Sequence, residues 1–330
     1  MSETRDRPTH DVFATIRSAC RAVSVRSRTV TVVTDRIPSY ARELAGRGFD
    51  RPFVDPEHHF LGSPGETVAY FVTLDAVNFG SGYFPHLHKR PGMSGYYTVA
   101  TTLADRFREN GPLNAEKLAA IRPADCAAIF NQTLDSGPVE ELMGLFARAW
   151  NDLGADLLAR FGGSFSNLVE AAEESAAALI EILSAQPLFR DVASYRGVSV
   201  PLYKRAQILA SDLALAFDGK GPGEFVDLDR LTIFADNLVP HVLRLDGVLR
   251  FDAELVRRIE RGELIPSGSE EEVEIRACAV DAVERIVEAL RATGDAPTAT
   301  AQQLDNFLWL RGQEPRYKAQ PRHRSRTVFY

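Results

Sequence analysis

Four segments of the 330-residue chain place polar or ionisable side chains where the surrounding pattern expects apolar ones. In Leu74–Phe79, Asp75 and Asn78 interrupt an otherwise apolar run. In Leu202–Leu209, Lys204 and Arg205 open a helical pattern that continues to Asp212, seven residues beyond Arg205 and so on the same helix face. In Leu231–Gly247, Asp236 follows LTIFA and precedes a second helical pattern. In Gln302–Leu310, Asp305 stands close to Phe307 and Trp309. A buried carboxylate is costly unless it is paired or hydrogen-bonded. Each position has an ordinary explanation: a hydrogen-bond hub at Asp75, an intrahelical network for Arg205 and Asp212, and helix caps at Asp236 and Asp305. Several such carboxylates along one chain point instead to a pocket of titratable groups, the raw material of acid–base or charge-stabilising chemistry.

The elements that must carry these residues are mostly helical. Residues 28–33, RTVTVV, alternate and are rich in β-branched types, which predicts a short strand. Pro38 suits a first helical turn, and the helix it opens runs to a glycine stop at Gly46. Residues 51–65 are punctuated by prolines and glycines and form a loop containing His58 and His59. Residues 66–79 are apolar nearly throughout, and their length favours a buried helix over a buried strand. From about residue 96 the spacing is helical. It is clearest in 139–163, in one helix over 166–185, in 203–217, and in 273–290, whose valines and alanines recur at steps of three and four. The βαβ alternation of a parallel sheet is missing. The expected fold is mainly α with a small β element near the N-terminus. It forms a single domain over 1–330, with two helical lobes around one pocket as a variant.

Composition narrows the function. Lys plus Arg is 38 and Asp plus Glu is 45, a net charge of −7, which argues against a general nucleic-acid binder. Hydrophobic residues at 45% and charged residues at 25% suit a folded soluble protein. Cys20, Cys126 and Cys278 are far apart and form no zinc-ribbon spacing. Neither a signal peptide nor an apolar run of spanning length is evident, so the expected location is the cytoplasm. The glycine-rich, nucleophile-elbow and zincin motifs are missing. His58–His59 and His86-Leu87-His88 are the only histidine pairs that suggest metal ligation, and loop histidines are more often solvated or hydrogen-bonded. No metal, no cofactor and no obligate protein partner are expected.

Taken together, His59–Phe60, LDAVNF, LYKRAQIL with Asp212, FADNLVP with HVLRLDGVL, EVEIRA with VERI, LDNFLW and the terminal HRSRTVFY resemble the queuosine salvage family of queuosine 5′-phosphate N-glycosylases. The segments stand in the family's order from about residue 59 to residue 330. One departure is Gly80–Pro85, GSGYFP, where family members commonly continue with CFW. It changes the surroundings of the carboxylates and leaves them in place. The resemblance implies a helical fold related to helix-hairpin-helix DNA glycosylases. It also implies hydrolysis of the N-glycosidic bond of queuosine 5′-phosphate to queuine and ribose 5-phosphate.

Breaking a C1′–N bond develops positive charge on the ribose, which a carboxylate in a water-poor site stabilises. The leaving base is a 7-deazaguanine without the N7 that other glycosylases protonate, and it carries an amine and a cyclopentenediol. On this reading Asp236 is the catalytic carboxylate, with Asp305 second, at the base or sharing the catalysis. Aspartates suit the amine and diol, and Asp75 and Asp212 are further candidates for substrate binding. Phe234 and Trp309 are candidates for stacking on the base, and His59 and Asn78 for hydrogen bonds to the nucleoside. Lys204, with Arg205 as alternate, is the phosphate candidate. The terminal segment, ending in Phe329 and Tyr330, is expected to dock as part of the wall. Two other classes remain: a DNA-glycosylase-like enzyme on another modified nucleotide, and a non-enzymatic nucleoside-binding helical protein.

Overall fold

The computed structural model describes residues 11–47, 54–135, 137–294 and 296–330. Helix α1 (Val12–Arg26) starts at Asp11, whose side chain accepts the Ala14 N–H, and strand β1 (Val30–Val32) follows. Helix α2 (Ile37–Ala45) has Pro38 in its first turn and Gly46 at its C-cap, as expected. Helix α3 (Pro64–Asp75) opens with Glu66 accepting the Ser63 N–H at 2.9 Å and is buried on every side from Thr67 onward. That complete burial is why its sequence shows no amphipathic period. Residues 54–63 are a loop holding His58 and His59. The part of the predicted loop at 51–53 lies outside the described residues.

Helices α4 (Gly95–Asn110), α5 (Ala115–Ala119), α6 (Pro123–Ile129) and α7 (Gly137–Arg160) pack against α3 or one another. The Trp150 indole of α7 donates to the Thr73 carbonyl at 2.9 Å. The single helix expected over 166–185 is two, α8 (Phe165–Glu170) and α9 (Ala176–Ser184). Glu173 and Glu174 between them are left-handed, at φ 48° and 59°. The Asp227 carboxylate accepts the Ala176 and Ala177 N–H groups and the Ser175 hydroxyl, satisfying the donors exposed by the break.

The β content also departs from expectation. Strand β2 (Val192–Tyr195) and strand β3 (Val198–Pro201) form a hairpin far from the N-terminus. Arg196 and Gly197 at its turn both have positive φ, the geometry that matches strand twist. Helix α10 (Lys204–Ala216), helix α11 (Val239–Leu245), strand β4 (Leu249–Phe251) and helix α12 (Ala253–Glu260) follow. The predicted strand β1 pairs antiparallel with β4, Thr31 opposite Arg250. Helix α13 (Glu270–Thr293) runs through the interior against α1, α2, β1, α11 and α14 (Ala301–Arg311), and α15 (Pro315–Lys318) precedes the terminal segment.

The terminal segment docks. The Tyr330 carbonyl accepts the Gly80 N–H at 2.9 Å, the Arg324 carbonyl accepts the Ile265 N–H at 2.9 Å, and Tyr330 is buried. GSGYFP is the surface it docks on. A Cβ on Gly82 would lie 2.2 Å from the Ser325 carbonyl oxygen, closer than any real contact, so only glycine lets the two segments meet. Among the described residues no helix is long and apolar enough to cross a membrane.

Candidate active site

Elements distant in sequence enclose one cavity of about 930 Å³. They are the loop at 54–59, the turn after α3, the start of α4, one face of α10, the segment before α11, helix α14 and the terminal segment. Lys204, Asp212, Asp236 and Asp305 line it, and so do His59, Asn78, Phe234 and Trp309. Eight residues singled out in the sequence thus converge.

Asp236 is half-buried. Its Oδ1 accepts the Leu238 N–H at 2.7 Å and the Val239 N–H at 3.0 Å, at the start of α11. The N-cap position itself is Leu238, so Asp236 is not the cap expected from the sequence but holds the helix-start donors with one oxygen while lining the cavity. Asp305 is not a cap: Thr300 caps α14, and Asp305 lies within the helix, buried. Its Oδ1 accepts the Phe234 N–H at 2.8 Å. Burial, reinforced by the negative charge of Asp236, pushes the Asp305 carboxyl up to about 8. Asp305 is therefore a neutral acid at neutral pH, with its second oxygen able to carry the proton.

Lys204 is buried and donates from Nζ to the Asn78 carbonyl at 3.0 Å and to Asn78 Oδ1 at 3.3 Å. Burial lowers its pKa, while the charges of Asp236 and Asp75 hold it up. Asn78 Nδ2 in turn donates to Asp75 Oδ1 at 3.0 Å. Asp75 is fully buried behind Asn78 and does not reach the cavity wall. Burial raises its pKa, opposed by Asn78 and Lys204. Asp212 is on the wall, and burial followed by the charge of Asp75 holds it well above the carboxylate range.

Arg205 is absent from the cavity. Its guanidinium donates to the Asp75, Ala76 and Leu188 carbonyls and lies between Phe79 and Phe189, 4.9 and 4.4 Å from their ring centres. These contacts leave it no geometry for a phosphate, and the intrahelical pairing with Asp212 considered from the sequence is not formed. On a helix, neighbours point about 100° apart, so Lys204 enters the cavity and Arg205 turns into the core.

The far wall is aromatic. Trp309 meets Tyr96 and Tyr97 edge to face, each at 5.7 Å. The His59 ring approaches the Tyr96 hydroxyl at 2.9 Å through Nε2 and the Asp55 carbonyl at 3.0 Å through Nδ1. Burial depresses its pKa, so it is neutral. Tyr96, Tyr97 and Arg322 also line the cavity and were not singled out in the sequence. A tyrosine pair at a helix start carries no mismatch between polarity and period. Arg322 lies one residue outside the terminal motif. His86 and His88 are exposed, and among the described residues no three metal-ligating side chains converge.

A family model for queuosine salvage proteins matches residues 58–330, which include every predicted site residue. The chain belongs to the queuosine salvage protein family. A protein of Sphaerobacter thermophilus named queuosine 5′-phosphate N-glycosylase/hydrolase is 39% identical over 320 residues, covering 96% of this chain and 97% of its own. Proteins of the same name from Mus musculus and Dictyostelium discoideum are 33% identical over 246 residues and 38% identical over 266. They cover 72% and 80% of this chain and 72% and 78% of their own. The family match begins after α1, β1 and α2, whereas the bacterial likeness spans 96% of the chain.

Proposed function

We propose that this protein hydrolyses the N-glycosidic bond of queuosine 5′-phosphate, releasing queuine and ribose 5-phosphate for queuine salvage into tRNA modification. The observation that carries the reading is the pairing of Asp236, with one oxygen fixed and one open to the cavity, and Asp305, kept neutral beside it. The names of the relatives supply the substrate.

As the C1′–N bond breaks, its electron pair goes to the base nitrogen and positive charge grows on the ribose. Asp236 faces that charge. A water oxygen bonds to C1′ and loses a proton, and the base gains one. Neutral Asp305 donates toward the base edge, replacing the help that N7 gives in other purines. Lys204 balances the carboxylates, with Asn78 holding its ammonium. A phosphate beside Lys204 would face Asp236, Asp75 and Asp305, whereas Arg322 has only Asp236 near it among these, so Arg322 is the better partner for the 5′-phosphate. Phe234 and Trp309 cover the base, Asp212 takes the cationic amine or the diol, and His59, with both ring nitrogens engaged by Asp55 and Tyr96, holds the Tyr96 hydroxyl in the wall.

In this reading the chain acts as one domain in the cytoplasm, without metal or cofactor, and the Asp236-bearing start of α11 corresponds to the aspartate-bearing helix start of helix-hairpin-helix glycosylases. The test is incubation with queuosine 5′-phosphate and detection of free queuine by mass, with and without chelator. Queuine release in both supports the reading. Binding without release would mark a nucleoside-binding protein and refute it.

A further inference from the structure

The EVEIRA motif, Glu272–Ala277, has no place in the chemistry above, and Arg276 does not line the cavity. It is nevertheless 1% exposed, and three of its nitrogens are engaged. Nε donates to the Ala235 carbonyl at 2.8 Å, immediately before Asp236. Nη1 and Nη2 donate to the two oxygens of Asp191 at 3.0 and 2.6 Å. Asp191 Oδ2 also accepts the backbone N–H of Lys204 at 3.1 Å. Two buried side chains therefore join the backbone beside Asp236 to the backbone of Lys204.

The start of α10 needs such support. Tyr203 at its N-cap is left-handed, at φ 47°, and supplies no side-chain cap. A bulky residue there is strained and persists only where its surroundings hold it. Asp191 does so: its carbonyl accepts the Leu202 and Tyr203 N–H groups at 2.9 and 3.3 Å, and its carboxylate takes the next donor, Lys204 N–H. The Tyr330 ring lies 4.7 Å from the Arg276 guanidinium, and the Tyr330 carbonyl holds Gly80, two residues after Asn78. Arg276 thus touches or steadies three walls of one site. A buried ion pair is weak evidence for stability, because hydrophobic replacement of both partners is often neutral. One whose arms end on three site-bearing segments is better explained by register.

We infer that the Asp191–Arg276 pair is a positioning element that holds Asp236, Lys204 and the Asn78 turn in catalytic register. This rests on the function proposed above, but the fixing of the segments can be measured separately. Arg276→Lys keeps the charge and cannot make all three contacts. The expected result is a kcat for queuosine 5′-phosphate lower by roughly a hundredfold, the size of effect that small misplacements produce, with KM little changed. Glu274→Gln, on the same helix, is the control. Glu274 accepts the Arg28, Thr29 and Val30 N–H groups and the Tyr195 hydroxyl, none of which lines the cavity. It should lower Tm and spare kcat.

Independently of turnover, hydrogen exchange should quicken at residues 203–206 and 234–239 in Arg276→Lys and not in Glu274→Gln. Should Arg276→Lys fail to fold, Asp191→Asn is read the same way. A folded variant with near wild-type kcat and unchanged exchange in those segments would overturn the inference, as would failure of both variants to fold, which would make the pair a stability element. An inactive wild type with the predicted exchange pattern would discard the proposed substrate and leave the positioning role standing.

Discussion

The Phe234 N–H donates to Asp305 Oδ1 at 2.8 Å, so helix α14, which carries one aspartate of the site, fixes the segment that carries Asp236 two residues later. The same bond leaves the second oxygen of Asp305 for a proton, which burial and Asp236 retain to about 8. The Phe234 bond by itself favours the carboxylate, and burial together with the Asp236 charge outweighs it.

This gives a signed pH dependence. If neutral Asp305 is the donor, kcat/KM holds steady across neutral pH and falls as pH rises through about 8. Lys204 deprotonation acts in the same direction. Asp305→Asn still accepts from Phe234 and cannot transfer a proton, so its rate should drop by ~10²–10⁴ at neutral pH. A wild-type profile that climbs through pH 9 would remove Asp305 as the acid.

The phosphate assignment separates two cations. A charge-assisted hydrogen bond contributes roughly 1.5–3 kcal/mol, or about tenfold and upward in kcat/KM. Arg322→Met should lose that much on queuosine 5′-phosphate and little on queuosine. Lys204→Met should weaken both substrates, because it unbalances the carboxylates. Selective loss on the phosphorylated substrate in Lys204→Met would return the phosphate to Lys204.

Cavity-lining positions were legible in the sequence where a polar residue broke an apolar pattern: Asn78, Asp236 and Asp305 announced themselves that way, and so did Asp75, which lies one layer behind the wall. Roles were less legible. Arg205 and Lys204 are adjacent in one motif, and only the packing of α10 shows that one enters the cavity and the other caps carbonyls. Asp305 resembled a cap because Thr300, the actual cap, lies five residues earlier in an equally helical stretch. Tyr96 and Tyr97 gave no signal, since aromatic residues at a helix start fit core and site alike. The break between α8 and α9 escaped because the donors it exposes at Ser175, Ala176 and Ala177 are satisfied by Asp227, which arrives from another segment.

Docking of the terminal segment predicts a stability effect. Gly82→Ala drives a methyl into the Ser325 carbonyl and should cost about 1–3 kcal/mol, like other overpacking changes. Thermal unfolding should show a lower Tm. Because the displaced segment carries Arg322 and Tyr330, KM for the phosphorylated substrate should rise as well. An unchanged Tm would mean that the two segments do not meet as described.

The central claim is that Asp236 stabilises the ribose cation, and Asp236→Asn tests it most directly. Asparagine caps helices as well as aspartate, so Leu238 and Val239 keep their acceptor and the fold should survive. The amide lacks the charge that opposes the cation, and removing one such partner typically costs ~10²–10³ in rate. The measurement is single-turnover release of queuine from queuosine 5′-phosphate, with Tm recorded on the same sample. The expected result is an unchanged Tm and a rate lower by that factor. Release near the wild-type rate from a folded Asp236→Asn would contradict it and leave Asp236 as a helix-start acceptor alone.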